Sequence, residues 1–524
     1  MWLIRVFFLL TFVIIIKNNN VESLKILGLF PLPGKSHFAT GEELFKILAQ
    51  KGHQIDVVSH FPQKKTYQNY NDISLVGSAP IPVNNVTFES TRAITGFSLG
   101  KFVKTTGLET CDLLAHPKMQ ELLNKPKGSY DVIIVEIFTF NCYLAFGKHF
   151  DAPLIAVSTL AVPDWLYGPL SSPFNPSYMP TMTTGYSQEM TLYQRLVNTL
   201  VSHIIPHVFH YYLEEERGHV EKYFGRKLSS IQELYEDISL LFVNSHYSIN
   251  GIKPTTPDII DIGGLHVGGT GQKLTEDLKK WLDESTHGCV YISFGSMVRI
   301  ETLPIDKIQA FYKMFNNISP VRVLMKIADP KLLPPNLPNN VMTSSWLPQV
   351  AVLKHEQVKA FVTHGGLMGT QEAIGWGVPL IGLPLFGDQH TNIQNFANQK
   401  IAVKLDVDNF NEHTLTNAVK EVLNNPEYMH NVKEASALFM DRPMSAKDTA
   451  VYWVEYAARH GNRLKSPGRK LTWWKFYLLD VYGLVLGTIL LASYIVKKIL
   501  GFIYHLICSS KNPKKNLSKN KKNK

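Results

Sequence analysis

The stretch Phe361-Val362-Thr363-His364-Gly365-Gly366-Leu367-Met368-Gly369-Thr370-Gln371-Glu372 reads as a buried strand running through a glycine turn into a helix. Glycines at such a turn let backbone N–H groups close on an anion, and the helix N-terminus adds partial positive charge. His364 places another donor there, so a diphosphate is the natural guest. Downstream, Pro384-Leu385-Phe386-Gly387-Asp388-Gln389 sets a carboxylate and an amide at the end of the next strand, a pair suited to sugar hydroxyls. Upstream, Trp346-Leu347-Pro348-Gln349 offers an indole face for a base and an amide for its edge. Singly these are weak signals. The ordered set is not what packing alone produces.

Outward from this segment, short apolar β-branched runs alternate with helical stretches, the pattern of parallel α/β sheets. Strands are expected at Cys289–Phe294, Val321–Ile327, Val341–Thr343, Lys359–Thr363, Pro379–Leu383 and Ala402–Leu405 in the second half. The first half shows Leu24–Phe30, Gln54–Ser59, Asp131–Glu136 and Leu154–Ser158, with a helix near Phe38–Lys51 capped by Gly52. Residues 253–271 are rich in Pro, Gly and Thr and read as a linker, and no short repeat is present. The body is therefore two α/β domains, 24–252 and 272–470, with ligands expected between their strand ends.

No G-x-G-x-x-G follows the first strand, which disfavours a nicotinamide dehydrogenase. His37 stands there instead, at the start of a helix, where the positive N-terminus keeps an imidazole neutral and fit to act as a base. Glu136, at the end of its strand, is the carboxylate placed to orient it; Asp131 and Asp151 are less well placed.

Hydrophobic residues are 45% and charged residues 18%, so large cores form and global disorder is excluded. The net charge of +10 suggests nucleic acid until it is located: the nine lysines from Lys497 onward meet no acid, leaving the rest about neutral. A DNA or RNA partner is not expected. Val6–Ile16 after Arg5 is too short to span a bilayer and reads as part of a signal peptide, 1–23. Residues 476–496 read as one transmembrane helix, with Trp473, Trp474 and Tyr477 at the interface and the basic tail 497–524 in the cytosol. Lys521 and Lys522 resemble a dilysine retrieval signal. Together the ends predict a type I, single-pass protein of the endoplasmic reticulum membrane with a lumenal body, and the apolar stretch Leu196–Leu213 is the place for any further membrane contact. Asn85 and Asn317 fit the glycosylation pattern; Asn516 fits it too but falls on the cytosolic side. Cys111, Cys142 and Cys289 are too few for a disulfide scaffold and show no zinc spacing; whether any pair stays open.

Residues 361–389, with His37 after the first strand, Trp453-Val454-Glu455-Tyr456 before the anchor and the dilysine tail, resemble the UDP-glycosyltransferases, including the insect glucosyltransferases. The resemblance implies a GT-B fold, two Rossmann-like domains holding a nucleotide sugar between them. It implies that Trp346 stacks on uracil and Gln349 hydrogen-bonds it. Ser296, His364, Gly366, Gly369 and Thr370 would surround the diphosphate, Glu372 would hold ribose, and Asp388 with Gln389 would grip the sugar. Two departures stand out: Met368 where many relatives have Asn, and Glu136 where vertebrate relatives have Asp.

The implied reaction is inverting transfer of a hexose to a hydroxyl of a small lipophilic acceptor, whose pocket falls within residues 60–215. His37 takes the proton, Glu136 steadies the imidazolium, and no metal cofactor is required. Glucose is preferred to glucuronic acid on the insect-like sequence. The competing class is a non-catalytic lipophile binder, against which His37, Asp388 and Gln389 argue. A homo-oligomer stays open.

Overall fold

The computed structural model describes residues 23–95, 99–268 and 273–510 and divides into two units, one ending at Ser466 and one beginning at Pro467. The apolar run of the expected signal peptide, the end of the expected linker, Asn516 and the dilysine lie outside the described residues.

The first unit holds two parallel sheets. In the first, β1 (Lys25–Phe30), β2 (Gln54–Ser59), β3 (Tyr70–Ser74), β4 (Val132–Glu136), β5 (Leu154–Ser158), β6 (Ile238–Val243) and β7 (Ile259–Asp261) lie in the order 3-2-1-4-5-6-7. In the second, β8 (Cys289–Ser293), β9 (Arg322–Lys326), β10 (Val341–Ser344), β11 (Val358–Thr363), β12 (Leu380–Gly382) and β13 (Ala402–Lys404) run 10-9-8-11-12-13. Strand order reverses between β1 and β4 and again between β8 and β11. These are the switch points where open α/β sheets bind ligands.

The six strands expected in the second half all form, but the first sheet has three more than the sequence marks. β7 falls inside the expected linker 253–271, so that segment is partly sheet and the first domain extends past residue 252. The central strands are covered on both faces, as parallel sheets require. Leu27, Leu29, Ile133 and Val135 enter one core, while Ile26, Phe30, Val132 and Ile134 enter another.

Helix α1 (Lys35–Gln50) lies against β1, where Gly28 leaves room for Phe45: a Cβ there would stand 2.3 Å from the ring. Helix α2 (Leu192–Leu213) begins in a Thr191–Gln194 capping box and leaves Leu192, Leu196, Leu200 and Ile204 exposed at four-residue intervals. Helices α3 (Leu367–Gly375) and α4 (Gln389–Asn398) follow β11 and β12. Helix α5 (Ala446–His460) returns to the first sheet, burying Ala450, Val451, Val454 and Ala457 with Phe30, Val57 and Ile134. Lys447 also pairs with Glu43 of α1 at 2.5 Å. Cys111 and Cys142 form a disulfide, answering the open question of pairing, while Cys289 is buried and free.

In the second unit, helix α6 spans Leu479–Ser510, 32 residues, of which Leu479–Cys508 is long and apolar enough to cross a membrane. The helix bounds differ from those of the expected segment 476–496. The helix starts later and does not stop at Lys497-Lys498, since lysine is a good helix former and no Gly or Pro breaks the turn there. At about 1.5 Å per residue it exceeds the roughly 30 Å hydrocarbon core, so part of it extends beyond any span.

Candidate active site

At the first switch point, α1 starts at Lys35, so His37 sits in its first turn. Its Nδ1 lies 2.6 Å from Glu136 Oε1, at the end of β4, and 3.0 Å from Thr159 Oγ1, just past β5. A carboxylate can only accept, so the contact puts the proton on Nδ1 and leaves the Nε2 lone pair free. The Glu136 side chain is fully buried and that of His37 is 20% exposed. The Phe138 ring meets the imidazole edge-on at 4.9 Å, and Phe102 meets Phe138 at 5.8 Å. Half-buried aromatic surface thus borders the basic nitrogen. The sequence reading missed Thr159, although its position directly after a strand end was the available signal.

At the second switch point, Gly365 takes φ +86, and Gly366 serves as the N-cap of α3. The backbone N–H groups of Leu367, Met368 and Gly369 open the helix. Thr370 differs from expectation. Its N–H already bonds Gly366 O, its hydroxyl donates to Leu367 O at 2.9 Å, and it is fully buried. Being one turn inside the helix, it braces the turn and presents nothing to an anion.

Burial, with the nearby positive charge of Lys326, lowers His364 to about 4, so it is a neutral N–H donor at pH 7. Ser296 Oγ is buried and has no partner among the described residues. Trp346 is 45% exposed and borders a hollow of about 560 Å³ shared with Thr343, Ser344 and Pro348.

Gln349 is held by two neighbours. Its Nε2 donates to Glu372 Oε2 at 2.6 Å and its Oε1 accepts from Tyr291 at 2.9 Å, which fixes the amide beside the ribose candidate and leaves one N–H and one lone pair for a ligand. His266, neutral through burial, donates to the Met368 carbonyl at 3.1 Å and steadies the helix start. Asp388 precedes α4, with Oδ2 accepting from Asn392 at 2.7 Å. Burial pushes its carboxyl up, opposed by that bond and by His37 across the cleft. Gln389 Oε1 accepts from the N–H groups of Leu385 and Phe386, which shapes the turn and leaves Nε2 for a ligand. The site therefore joins a histidine–carboxylate pair on one sheet to an open helix start and a buried carboxylate, Asp388, on the other.

Residues 34–514 match the family model described as "UDP-glucoronosyl and UDP-glucosyl transferase". The chain belongs to the UDP-glycosyltransferase family. This glycosyltransferase is 36% identical to UDP-glucosyltransferase 2 of Dactylopius coccus over 97% of its own length and 99% of the relative's. It is 30% identical to human UDP-glucuronosyltransferase 1A8 over 77% and 75% of the two chains. Its fold is GT-B: the calicheamicin glycosyltransferase CalG4 superposes with a TM-score of 0.54 at 17% identity, covering 84% of this chain and all of that one.

In this glycosyltransferase the Met368 side chain turns away from the anion site, its Sδ lying 3.6 Å from Thr40 Oγ1 of α1. The start of α3 is therefore left to its backbone N–H groups.

Proposed function

We propose that the enzyme transfers a hexose, with glucose preferred, from a UDP-sugar to a hydroxyl of a small lipophilic acceptor, with inversion. The observation that carries this reading is the 2.6 Å His37–Glu136 pair at the cleft, facing Asp388 of the other domain. An acceptor hydroxyl lying on Phe138 and Phe102 gives its proton to His37 Nε2 as its oxygen attacks the anomeric carbon opposite UDP. Glu136 stabilises the imidazolium that forms. Asp388 and the Gln389 amide hold hexose hydroxyls, and Gln349 and Glu372 together address ribose. The α3 N-terminus and the His364 N–H receive the departing diphosphate, so the reaction as written needs no metal.

Glucose is favoured by the similarity to an insect glucosyltransferase, and the role is conjugation of metabolites and foreign compounds. Helix α6 is the membrane anchor in this reading, with the body in the lumen of the endoplasmic reticulum. The exposed apolar face of α2 is a second place of membrane contact. Membranes carrying the enzyme, given UDP-glucose or UDP-glucuronate with phenolic and steroid acceptors, should yield products heavier by one hexose. Products carrying only a uronic acid would overturn the glucose assignment, and no transfer from any UDP-sugar would leave the lipophile binder.

A further inference from the structure

Lys326 ends β9 and turns inward, with only 8% of the residue exposed. Its ammonium donates to the Gly295 carbonyl at 2.8 Å and to Asn84 Oδ1, which reaches across from the first domain, and it stands 5.7 Å from the Trp346 ring centroid. No carboxylate contacts it among the described residues. Glu301 is felt at longer range, and one of its oxygens is already engaged by Asp329 N and Arg299 Nε. A buried cation without a counter-ion is costly, and an anionic ligand relieves that cost.

The surroundings indicate where such an anion lies. Gly295, at φ +77, is pressed against His364, so that a Cβ would stand 2.8 Å from the ring, and a Cβ on Gly366 would be equally close to it. The carbonyl holding Lys326, the His364 ring and the start of α3 therefore form one continuous surface. Ser296, whose hydroxyl has no partner among the described residues, follows Gly295, and its backbone carbonyl accepts from Asn84 N–H at 2.8 Å. Because His364 is neutral, this surface has one full positive charge close at hand, that of Lys326.

We infer that Lys326 is a donor-binding residue whose ammonium neutralises the nucleotide's diphosphate, and that Asn84 of the acceptor domain positions it. The inference rests on the UDP-sugar reading above. The alternative is that Lys326 only braces the Trp346 ring. Diphosphate and base separate the two, because a ring brace serves uridine and UDP alike, whereas a charge partner serves UDP alone.

The test is calorimetric titration of the purified full-length protein with UDP and with uridine. Lys326→Gln should weaken UDP roughly ten- to hundredfold, the scale of a lost charged hydrogen bond, and leave uridine unchanged. Lys326→Arg should restore most of the loss, and Asn84→Ala should produce a smaller loss confined to UDP. Equal weakening of UDP and uridine, or no weakening, overturns the inference. Failure of the unsubstituted enzyme to bind UDP would overturn the donor reading itself.

Should Lys326→Gln not fold, pH serves instead. Burial lowers Lys326 to about 8, with Glu301 opposing. Of the groups around it, Glu301 is acidic, His364 titrates near 4, and Trp346 and Asn84 carry no charge. The protonated amine is the form that binds, so UDP affinity should hold from neutrality to about pH 8 and fall above it. In Lys326→Arg the affinity should not fall. Parallel profiles in the two proteins overturn the assignment.

Discussion

Gln349 is locked between Tyr291 and Glu372, accepting from the phenol at 2.9 Å and donating to the carboxylate at 2.6 Å. Burial pushes the Glu372 carboxyl up to about 7, with the Gln349 bond opposing. Ribose hydroxyls donate best to the ionised form, which is lost as pH falls through 7. KM for the UDP-sugar should therefore rise below neutrality and be lowest between about pH 7 and 8, and Glu372→Gln should remove that acid limb. Initial rates from about pH 5.5 to 8.5 check this.

His37→Ala should lower turnover by roughly 10²–10⁴-fold with an alcohol acceptor and leave UDP binding intact. Glu136→Gln should lower kcat by on the order of 10²-fold without changing donor KM, because an amide orients the ring but does not stabilise the imidazolium. Near-normal turnover of His37→Ala with a weakly acidic alcohol removes the base from this position.

Asp388→Ala should abolish transfer and barely alter binding of UDP alone. Gln389→Glu should do the same without loss of thermal stability, since it keeps the oxygen that Leu385 and Phe386 donate to. Gln389→Ala strands those two N–H groups, one buried and one half-buried, and should also cost about 1–3 kcal/mol of stability. Trp346→Ala should weaken UDP by roughly 1–3 kcal/mol, the scale of base–aromatic stacking. Calorimetry with UDP and thermal melts separate these effects.

Removing the Cys111–Cys142 bond with paired serines should cost roughly 2–4 kcal/mol. The bond ties residue 111 to the segment after β4 that carries Phe138, and Thr139 bonds Thr106 across the same gap. Acceptor KM should therefore rise more than donor KM, measured in parallel on the folded variant.

Asn85 is exposed, whereas the Asn317 amide donates to Glu412 at 3.1 Å and to Thr416. Asn85→Gln should abolish most of the endoglycosidase H-sensitive mobility shift and Asn317→Gln little of it. Changing Lys521 and Lys522 to Ser should let the protein leave the endoplasmic reticulum with unchanged topology.

The second sheet was legible because each of its strands is an apolar run closed by Gly, Pro or a polar turn. In the first sheet, β6 follows a 3₁₀ stretch, Ile231–Asp237, with no Gly or Pro to mark the change of period. β3 is polar on its exposed edge, and β7 is three residues long within a Pro-rich stretch. Strand-end position marked His37 and Glu136 as candidates, and the family resemblance singled them out. The commitment of Gln349 to Glu372, the inward turn of Thr370 and the reach of Asn84 to Lys326 depend on tertiary approach, which spacing along the chain does not encode.

The return of α5 to the first sheet has a consequence for biosynthesis. The core around Phe30, Val57 and Ile134 is closed by residues made some four hundred positions later. A nascent chain that has completed only its first domain carries an uncovered apolar groove, and contacts of such long sequence separation form slowly. Ribosome-bound or truncated chains ending before Ala446 should depend on chaperones. A split enzyme should reassemble only when residues 446–460 are supplied together with the second half or fused to the first.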